Sequence, residues 1–233
     1  MGELPPFGPR ELVALLGRHP LVEWDLDPQR DDAGLWRWWL AACLLAGRDA
    51  TRARRLLAAL EVQTLDRAEA LAAADAARLA SDLERLGARD ASALAGRLIR
   101  AARALEARHR GSLDALARGA SGLEELGAFL SRLAPGVGAA TVARFLRGLR
   151  DRFDAAREVP LAPAARAAAV CLGWLEPGQD EEGEPGSLRR VLAATQGAPE
   201  LRDVEAALER LGAAACARRR PAACPLGAAC PAR

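Results

Sequence analysis

The sequence predicts an all-α protein, and three observations carry that prediction. Ala and Leu dominate, aromatic residues make up 4% of the chain, and runs of β-branched residues are missing. With 233 residues the chain can bury one sizeable core or two small ones. A net charge of +2 excludes a polybasic coat, so any nucleic-acid site has to be a local patch. No apolar run approaches membrane-spanning length, and Met-Gly-Glu-Leu-Pro-Pro at the start has neither a basic n-region nor an apolar h-region. The expectation is a soluble, cytoplasmic monomer that makes no membrane contact.

In chain order, a Pro-rich start leads into a short helix, roughly Pro9 to Arg18. An acidic connector, Glu23 to Asp32, follows. Leu35 to Ala46 is apolar on nearly every side and carries Trp36, Trp38 and Trp39, which marks a central buried helix. Shorter helices are predicted at about 51–61, 66–72 and 76–86. A longer one, at about 90–109, has Arg97, Arg100 and Arg103 on one side and Leu94, Leu98, Ala101 and Leu105 on another. A helical hairpin comes next, then a helix at about 163–174. Glu176 to Ser187 reads as a loop and flexible linker, with two more helices before a Cys-rich tail. There is no internal repeat.

The hairpin is the most informative stretch. Ser121 reads as an N-cap with Glu124 three residues on, a capping box, and Leu123, Leu126, Leu130 and Leu133 then recur at helical spacing. Pro135-Gly136-Val137-Gly138 breaks that helix, and Thr141, Val142, Phe145, Leu146 and Leu149 define the next. Glycines at 136 and 138 permit positive φ and let a ligand approach bare backbone. The free amides opening the second helix then point at that ligand, and the helix dipole favours an anion. Such a turn suits a DNA phosphate; the plain alternative is an αα corner with a glycine cap. Thr141 is expected to cap or to contact phosphate. Arg144, Arg147 and Arg150 recur on the helix behind the turn, where they would reach neighbouring phosphates and give salt-sensitive, sequence-independent affinity. Arg218, Arg219 and Arg220 form a second candidate patch; a charge run can equally be a solvated surface.

The chain has no lysine, so its 33 cationic side chains are all Arg. Guanidinium binds phosphate well but is not deprotonated in proteins, and side-chain imine chemistry is therefore closed; the α-amine of Met1 is the one amine left. The tail places Cys216, Cys224 and Cys230 within fifteen residues. In a cytoplasmic chain that clustering suggests a metal or iron–sulfur site, yet zinc or a cluster normally takes four ligands. The tail either holds an iron–sulfur cluster with an incomplete ligand set or binds nothing. Cys43 and Cys171 lie in apolar helical contexts and read as core residues, although the sequence leaves open whether Cys171 joins a metal site.

Taken together, hairpin and tail resemble the endonuclease III group of helix-hairpin-helix DNA glycosylases over about residues 35–231. Leu133-Ala-Pro-Gly-Val-Gly-Ala-Ala-Thr-Val resembles the family's L-P-G-V-G-x-K-T-A. Val159-Pro-Leu-Ala-Pro-Ala-Ala-Arg-Ala-Ala-Ala-Val-Cys-Leu-Gly is similar to its V-D-T-H-V…R-L-G segment, and Leu83 to Gly111 to a further upstream region. The tail resembles C-x6-C-x2-C-x5-C, with the final C-P-L-x3-C at Cys224 to Cys230. The resemblance implies a two-lobed fold: a helical barrel over 38–152 holding the hairpin, and a second lobe from 1–37 plus 153–233, with DNA received between them. The family's lyase Lys falls on Ala140 and its catalytic Asp on Ala162. The Glu of adenine-excising relatives falls on Ala42, and the Gln pair that fills the gap left by a flipped base falls on Ala46 and Gly47. The second tail Cys is absent.

These replacements imply a nucleoid-associated protein of base-excision-repair type. It would bind double-stranded DNA, damaged, abasic or distorted, without turnover of the family's usual kind. Two alternatives stay open: a monofunctional glycosylase with an unusual lesion, and a structural or protein-interaction module. For relocated acid–base chemistry the candidates are Asp49, Asp154 and Glu158, with His19 in a loop and His109 at a helix C-terminus less suited.

Overall fold

The computed structural model describes residues 7–178, 180 and 183–230. Among them there is no strand, and the chain is all-helical. In order come α1 (Pro9–Leu16), α2 (Pro20–Glu23), α3 (Asp32–Leu45), α4 (Ala50–Val62), α5 (Ala68–Ala73), α6 (Ala76–Arg85) and α7 (Ala91–His109). There follow α8 (Leu113–Arg118), α9 (Leu123–Leu133), α10 (Ala139–Arg147), α11 (Pro163–Cys171), α12 (Glu184–Ala193) and α13 (Leu201–Ala214). Short 3-10 turns at Cys216–Arg218, Pro221–Ala223 and Gly227–Ala229 form the tail. Two compact units result: a central one, Trp24–Ala156, and a terminal one, Met1–Glu23 with Arg157–Arg233.

The central unit is built around α3. Leu35, Trp36 and every residue from Trp38 to Leu45 are buried, so this helix is wrapped on all sides as its all-round apolar sequence requires. It starts at Asp32, three residues before the apolar run, because Asp31 caps it by accepting the Gly34 amide at 2.7 Å. Asp49, Asp75 and Ser112 do the same for α4, α6 and α8, each cap contributing about 1 kcal/mol. The long α7 packs on α5 and α6, and also meets α8 and α9. Two tryptophans of α3 hold α10: Trp38 Nε1 donates to the Phe145 carbonyl at 2.9 Å, and Trp39 meets the Phe145 ring edge-to-face at 5.1 Å. Gly148 makes this approach possible, since a Cβ there would lie 2.6 Å from Trp38 Nε1.

In the terminal unit α11 packs against α13, with α1 and α12 on α13. Its core runs through Leu12, Leu161, Ala165, Ala168, Ala169, Leu188, Val204, Leu208 and Leu211. Gly212 lies so close to the Ala164 carbonyl that a Cβ would overlap it, so the two helices cross at backbone contact. Asp203, fully buried, accepts from Arg18 Nε at 2.8 Å and from the His19 amide at 2.9 Å.

Several boundaries differ from the sequence reading, each for a local reason. The first helix stops at Leu16 because Gly17 adopts φ +88°. His19 is not in an open loop: buried, it takes the Leu21 amide on Nδ1 at 3.2 Å and so opens α2, which also absorbs Glu23 from the acidic connector. The helix after Pro163 ends at Cys171, where Leu172 and Gly173 turn the chain. Of the loop read at 176–187, the stretch from Glu184 onward is α12, with Pro185 in its first turn, where a missing amide costs nothing. Gln179, Glu181 and Glu182 of that loop lie outside the described residues, as does Met1 with its α-amine.

A candidate nucleic-acid interface at the helical hairpin

Helices α9 and α10 flank the turn as the residue pattern predicts, but the entry is built differently. The N-cap of α9 is Gly122, not Ser121. Ser121 instead donates its amide (2.8 Å) and its hydroxyl (2.7 Å) to Glu125, so the reciprocal half of a capping box exists one residue later than read. The Ser121 hydrogen bonds hold the Glu125 carboxyl below the usual range.

Within the turn, Val137 N–H closes on the Ala134 carbonyl at 2.9 Å, and Gly136 sits at φ +90°, a conformation that favours glycine. Gly138 does not share it. Its φ is −75° in extended backbone, so conformation does not demand a glycine there. What its lack of a side chain provides is open space, because nothing lies within 4 Å of a Cβ built on it. Gly138 is the N-cap of α10 and accepts from the Thr141 and Val142 amides at 2.9 and 3.3 Å. The amides of Gly138, Ala139 and Ala140 make no backbone hydrogen bond among the described residues, and all three residues are exposed. These are the orphan donors of a helix start, aligned at the positive end of its dipole.

Beside the turn is a cavity of about 140 Å³ lined by Cys43, Ala46, Leu94, Arg97, Leu98, Ala101, Ala134, Gly136, Val137, Gly138 and Thr141. The Arg97 side chain runs against Gly136, its Cδ 3.5 Å from where a Cβ would be. Asp90 holds it there, accepting from Arg97 at 2.8 Å and also from Arg48. Arg48 in turn donates to the Ala46 carbonyl at 2.9 Å and so covers the end of α3. Asp90, at the N-cap position of α7, has its carboxylate turned to these guanidiniums instead of capping its own helix. Burial alone would raise that carboxyl, but the hydrogen bonds from Arg48 and Arg97 keep it below the usual range. Sequence reasoning placed Arg97 on a helix face without linking it to the turn; the link is purely tertiary.

The remaining predicted residues distribute as follows. Pro135 is exposed at the corner and Val137 is half-buried. Thr141 is buried and lines the cavity, and no side-chain cap is present on α10, so its expected capping role is not found. Arg144 and Arg147 are half-buried on α10, and each has an intramolecular interaction. Arg150 is corrected: it is 4% exposed and donates to the Ala156 carbonyl at 3.4 Å, inside the central unit rather than on a phosphate-facing row. Ala140 stands exposed in the first turn of α10. Ala162, in the terminal unit, is the buried N-cap of α11. Ala42 is fully buried; Ala46 lines the cavity, and Gly47 is exposed at φ +69°. Asp49 is committed to capping α4, and the Arg52 amide keeps its carboxyl low. Glu158 is exposed and paired with Arg189 at 3.1 Å, while Asp154 opens a 3-10 turn.

The cysteines divide four to one. All five are free thiols. Cys43 is buried in α3, where burial pushes its thiol up to about 12. Cys171 is not the core residue that its helical context suggested. It is half-buried at the end of α11, while Cys224 and Cys230 belong to the buried core of the terminal unit. Burial, followed by the neighbouring Cys171, raises the Cys216 thiol to about 12. Cys171, Cys216 and Cys230 line a cavity of about 440 Å³ together with Ala167, Val170, Ala215, Arg219, Arg220 and Pro221. Among the described residues no three His, Cys, Asp or Glu side chains form a group that could hold a metal ion. Nor, among them, is any helix long and apolar enough to cross a membrane.

No protein-family model matches the sequence, and no curated protein matches it. The fold is similar to that of a solved structure, Methanocaldococcus jannaschii 8-oxoguanine glycosylase/lyase in complex with a 15mer DNA containing 8-oxoguanine. The TM-score is 0.51 at 13% sequence identity, over 84% of this chain and 87% of that one. The likeness establishes an all-α fold of the helix-hairpin-helix DNA glycosylase kind.

Proposed function

We propose that this chain binds duplex DNA, gripping one backbone phosphate at the Pro135–Gly138 turn, as a repair-type protein that recognises damaged, abasic or distorted sites. The observation that carries this reading is the set of exposed, unsatisfied amides of Gly138, Ala139 and Ala140 at the start of α10, behind a turn whose glycines leave the backbone bare. An anion at such a helix start satisfies several donors at once and meets the favourable end of the dipole. Arg144 and Arg147 add a secondary electrostatic contribution through neighbouring phosphates. The solved neighbour was crystallised with DNA, which supports the same reading.

Within this proposal the endonuclease III-like ancestry accounts for what is missing. Ala140 and Ala162 carry no amine and no carboxylate, and a chain without lysine has no side chain for imine formation.

The test is fluorescence anisotropy with two matched duplexes, one intact and one bearing a stable abasic-site analogue, across a salt series. Tighter, salt-sensitive binding to the abasic duplex, lost in Gly136→Asp/Gly138→Asp, is the expected result. No binding at low salt, or equal binding by the double variant, would remove the hairpin from the account and leave a structural module. Release of a base from any lesion under single-turnover conditions would replace this reading with that of a monofunctional glycosylase.

A further inference from the structure

We propose that Arg97, on α7, is the charged ligand of the DNA phosphate held at the Pro135–Gly138 turn, reaching it from outside the hairpin. This inference rests on the DNA-binding reading and adds to it the side chain that carries the charge.

The free amides of α10 are dipoles without net charge, so the turn alone neutralises no phosphate. The cluster beside it has the missing charge. Arg48 and Arg97 share one carboxylate, Asp90, which leaves the three side chains one positive charge in excess. Arg48 is committed to the end of α3: its side chain is 8% exposed, and it donates to the Leu44 and Ala46 carbonyls. Arg97 is not so committed. Among the described residues its Nη2 donates to Asp90 at 2.8 Å, while its Nε and Nη1 donate to no protein acceptor. A guanidinium carries five N–H donors in a planar fork, so most of them stay available to an anion while Asp90 fixes the fork's place.

That place is set by the fold. The Arg97 side chain crosses the turn at Gly136 and lines the cavity of about 140 Å³ with Gly136, Gly138 and Thr141. No Asp or Glu lines this cavity, so Arg97 is the charge that an entering group meets. Thr141 is an independent sign of a ligand. It is 6% exposed and lines the same cavity, and its hydroxyl has no hydrogen-bond partner among the described residues. Leaving a buried hydroxyl unpaired is costly, and an anion's oxygen accepting from it removes the cost. Donors from two helices, α7 and α10, thus converge on one cavity beside the free amides.

The experiment measures duplex binding by fluorescence anisotropy across a salt series for the full chain and for Arg97→Gln, Arg97→Lys and Arg103→Gln. Urea unfolding of each variant is run alongside. Arg97→Gln is expected to weaken binding about tenfold and to lower the slope of log affinity against log salt by about 0.9. Arg97→Lys keeps the charge but not the fork, so it keeps the slope and loses part of the affinity. Arg103→Gln leaves the slope as it was, because Arg103 is turned to the Ala72 carbonyl. Inorganic phosphate in place of chloride, at equal ionic strength, does not displace the duplex. Wild-type affinity and slope in Arg97→Gln, with binding lost in Gly136→Asp/Gly138→Asp, would overturn this inference and leave the hairpin reading standing. So would affinity lost without a change of slope, the mark of a merely structural side chain, or a slope lowered equally in Arg97→Lys. Displacement by inorganic phosphate that depends on Arg97 would assign the cavity to a free anion and overturn it too. A wild type that binds no duplex at low salt would overturn both readings.

Discussion

At the hairpin the groups offered to a ligand are chiefly main-chain amides; around Cys216 they are side-chain sulfurs, one of them contributed by a separate helix. That difference governs how each region responds to a changed sequence. Ala139 and Ala140 present the same amides that any residue but proline would in the first turn of α10, so the side chain at 140 can change while the proposed anion site stands. The sulfurs of Cys171, Cys216 and Cys230, which line one cavity, have no such tolerance, because each is lost with its own side chain. Backbone sites persist by geometry, whereas side-chain sites persist only with their residues.

Two glycines separate the regions most strongly. Gly212→Ala drives a Cβ into the Ala164 backbone, and Gly148→Ala drives one into the Trp38 indole. Each is expected to destabilise by about 1–3 kcal/mol, the usual range for overpacking, as read by urea unfolding. Gly148→Ala, which displaces α10, should also lower duplex affinity, and Gly212→Ala should spare it. If both variants lowered affinity equally, the two regions would not be separable.

Next in size is Gly138→Ala. With φ −75° and open space at its Cβ, the fold accepts alanine without a clash, and Tm should fall only by what a poorer N-cap costs, less than about 1 kcal/mol. A methyl group set over the amides should still weaken duplex binding by about tenfold, or 1.4 kcal/mol. Unchanged affinity would mean that the ligand does not approach this backbone.

Smaller again is the contribution of Arg147. Arg147→Ala should lower the slope of log affinity against log salt by about 0.9, one phosphate contact, equally for intact and abasic duplexes. A loss confined to the abasic duplex would assign it to lesion recognition instead.

The smallest effect is acid sensitivity at Asp90. Its folded carboxyl is held below the usual range by Arg48 and Arg97 despite partial burial, so the pair contributes stability above the unfolded value of about pH 3.9. That contribution is lost as pH falls through the lower folded value. Because the group is partly exposed, the difference between wild type and Asp90→Asn near neutrality should be no more than about 1 kcal/mol, vanishing in acid; chemical denaturation at several pH values reads it.

Much of the architecture was legible in the chain, and the exceptions share a cause. α3 announced its burial through an apolar surface all round, and Pro135-Gly136 announced the break between α9 and α10. The short α2 and α8 escaped the sequence reading because four and six residues carry too little periodicity to register. Arg150 looked like a member of an exposed row, since spacing tells which residues share a helix face and not whether that face is covered. Ser121 looked like a cap because a capping box shifted by one residue has nearly the same local pattern.

The sequence alone determined the helical class, the buried central helix, the glycine turn with its free amides, and the absence of any lysine for imine chemistry. Each follows from composition or from neighbours along the chain. Only the tertiary structure decided that Arg97 lies against Gly136, that Arg150 is internal, and that Cys171 lines one cavity with Cys216 and Cys230. Those outcomes depend on how closely helices cross. A crossing distance is set by steric contact between distant residues, such as Gly212 on Ala164, and leaves no periodic mark in the sequence.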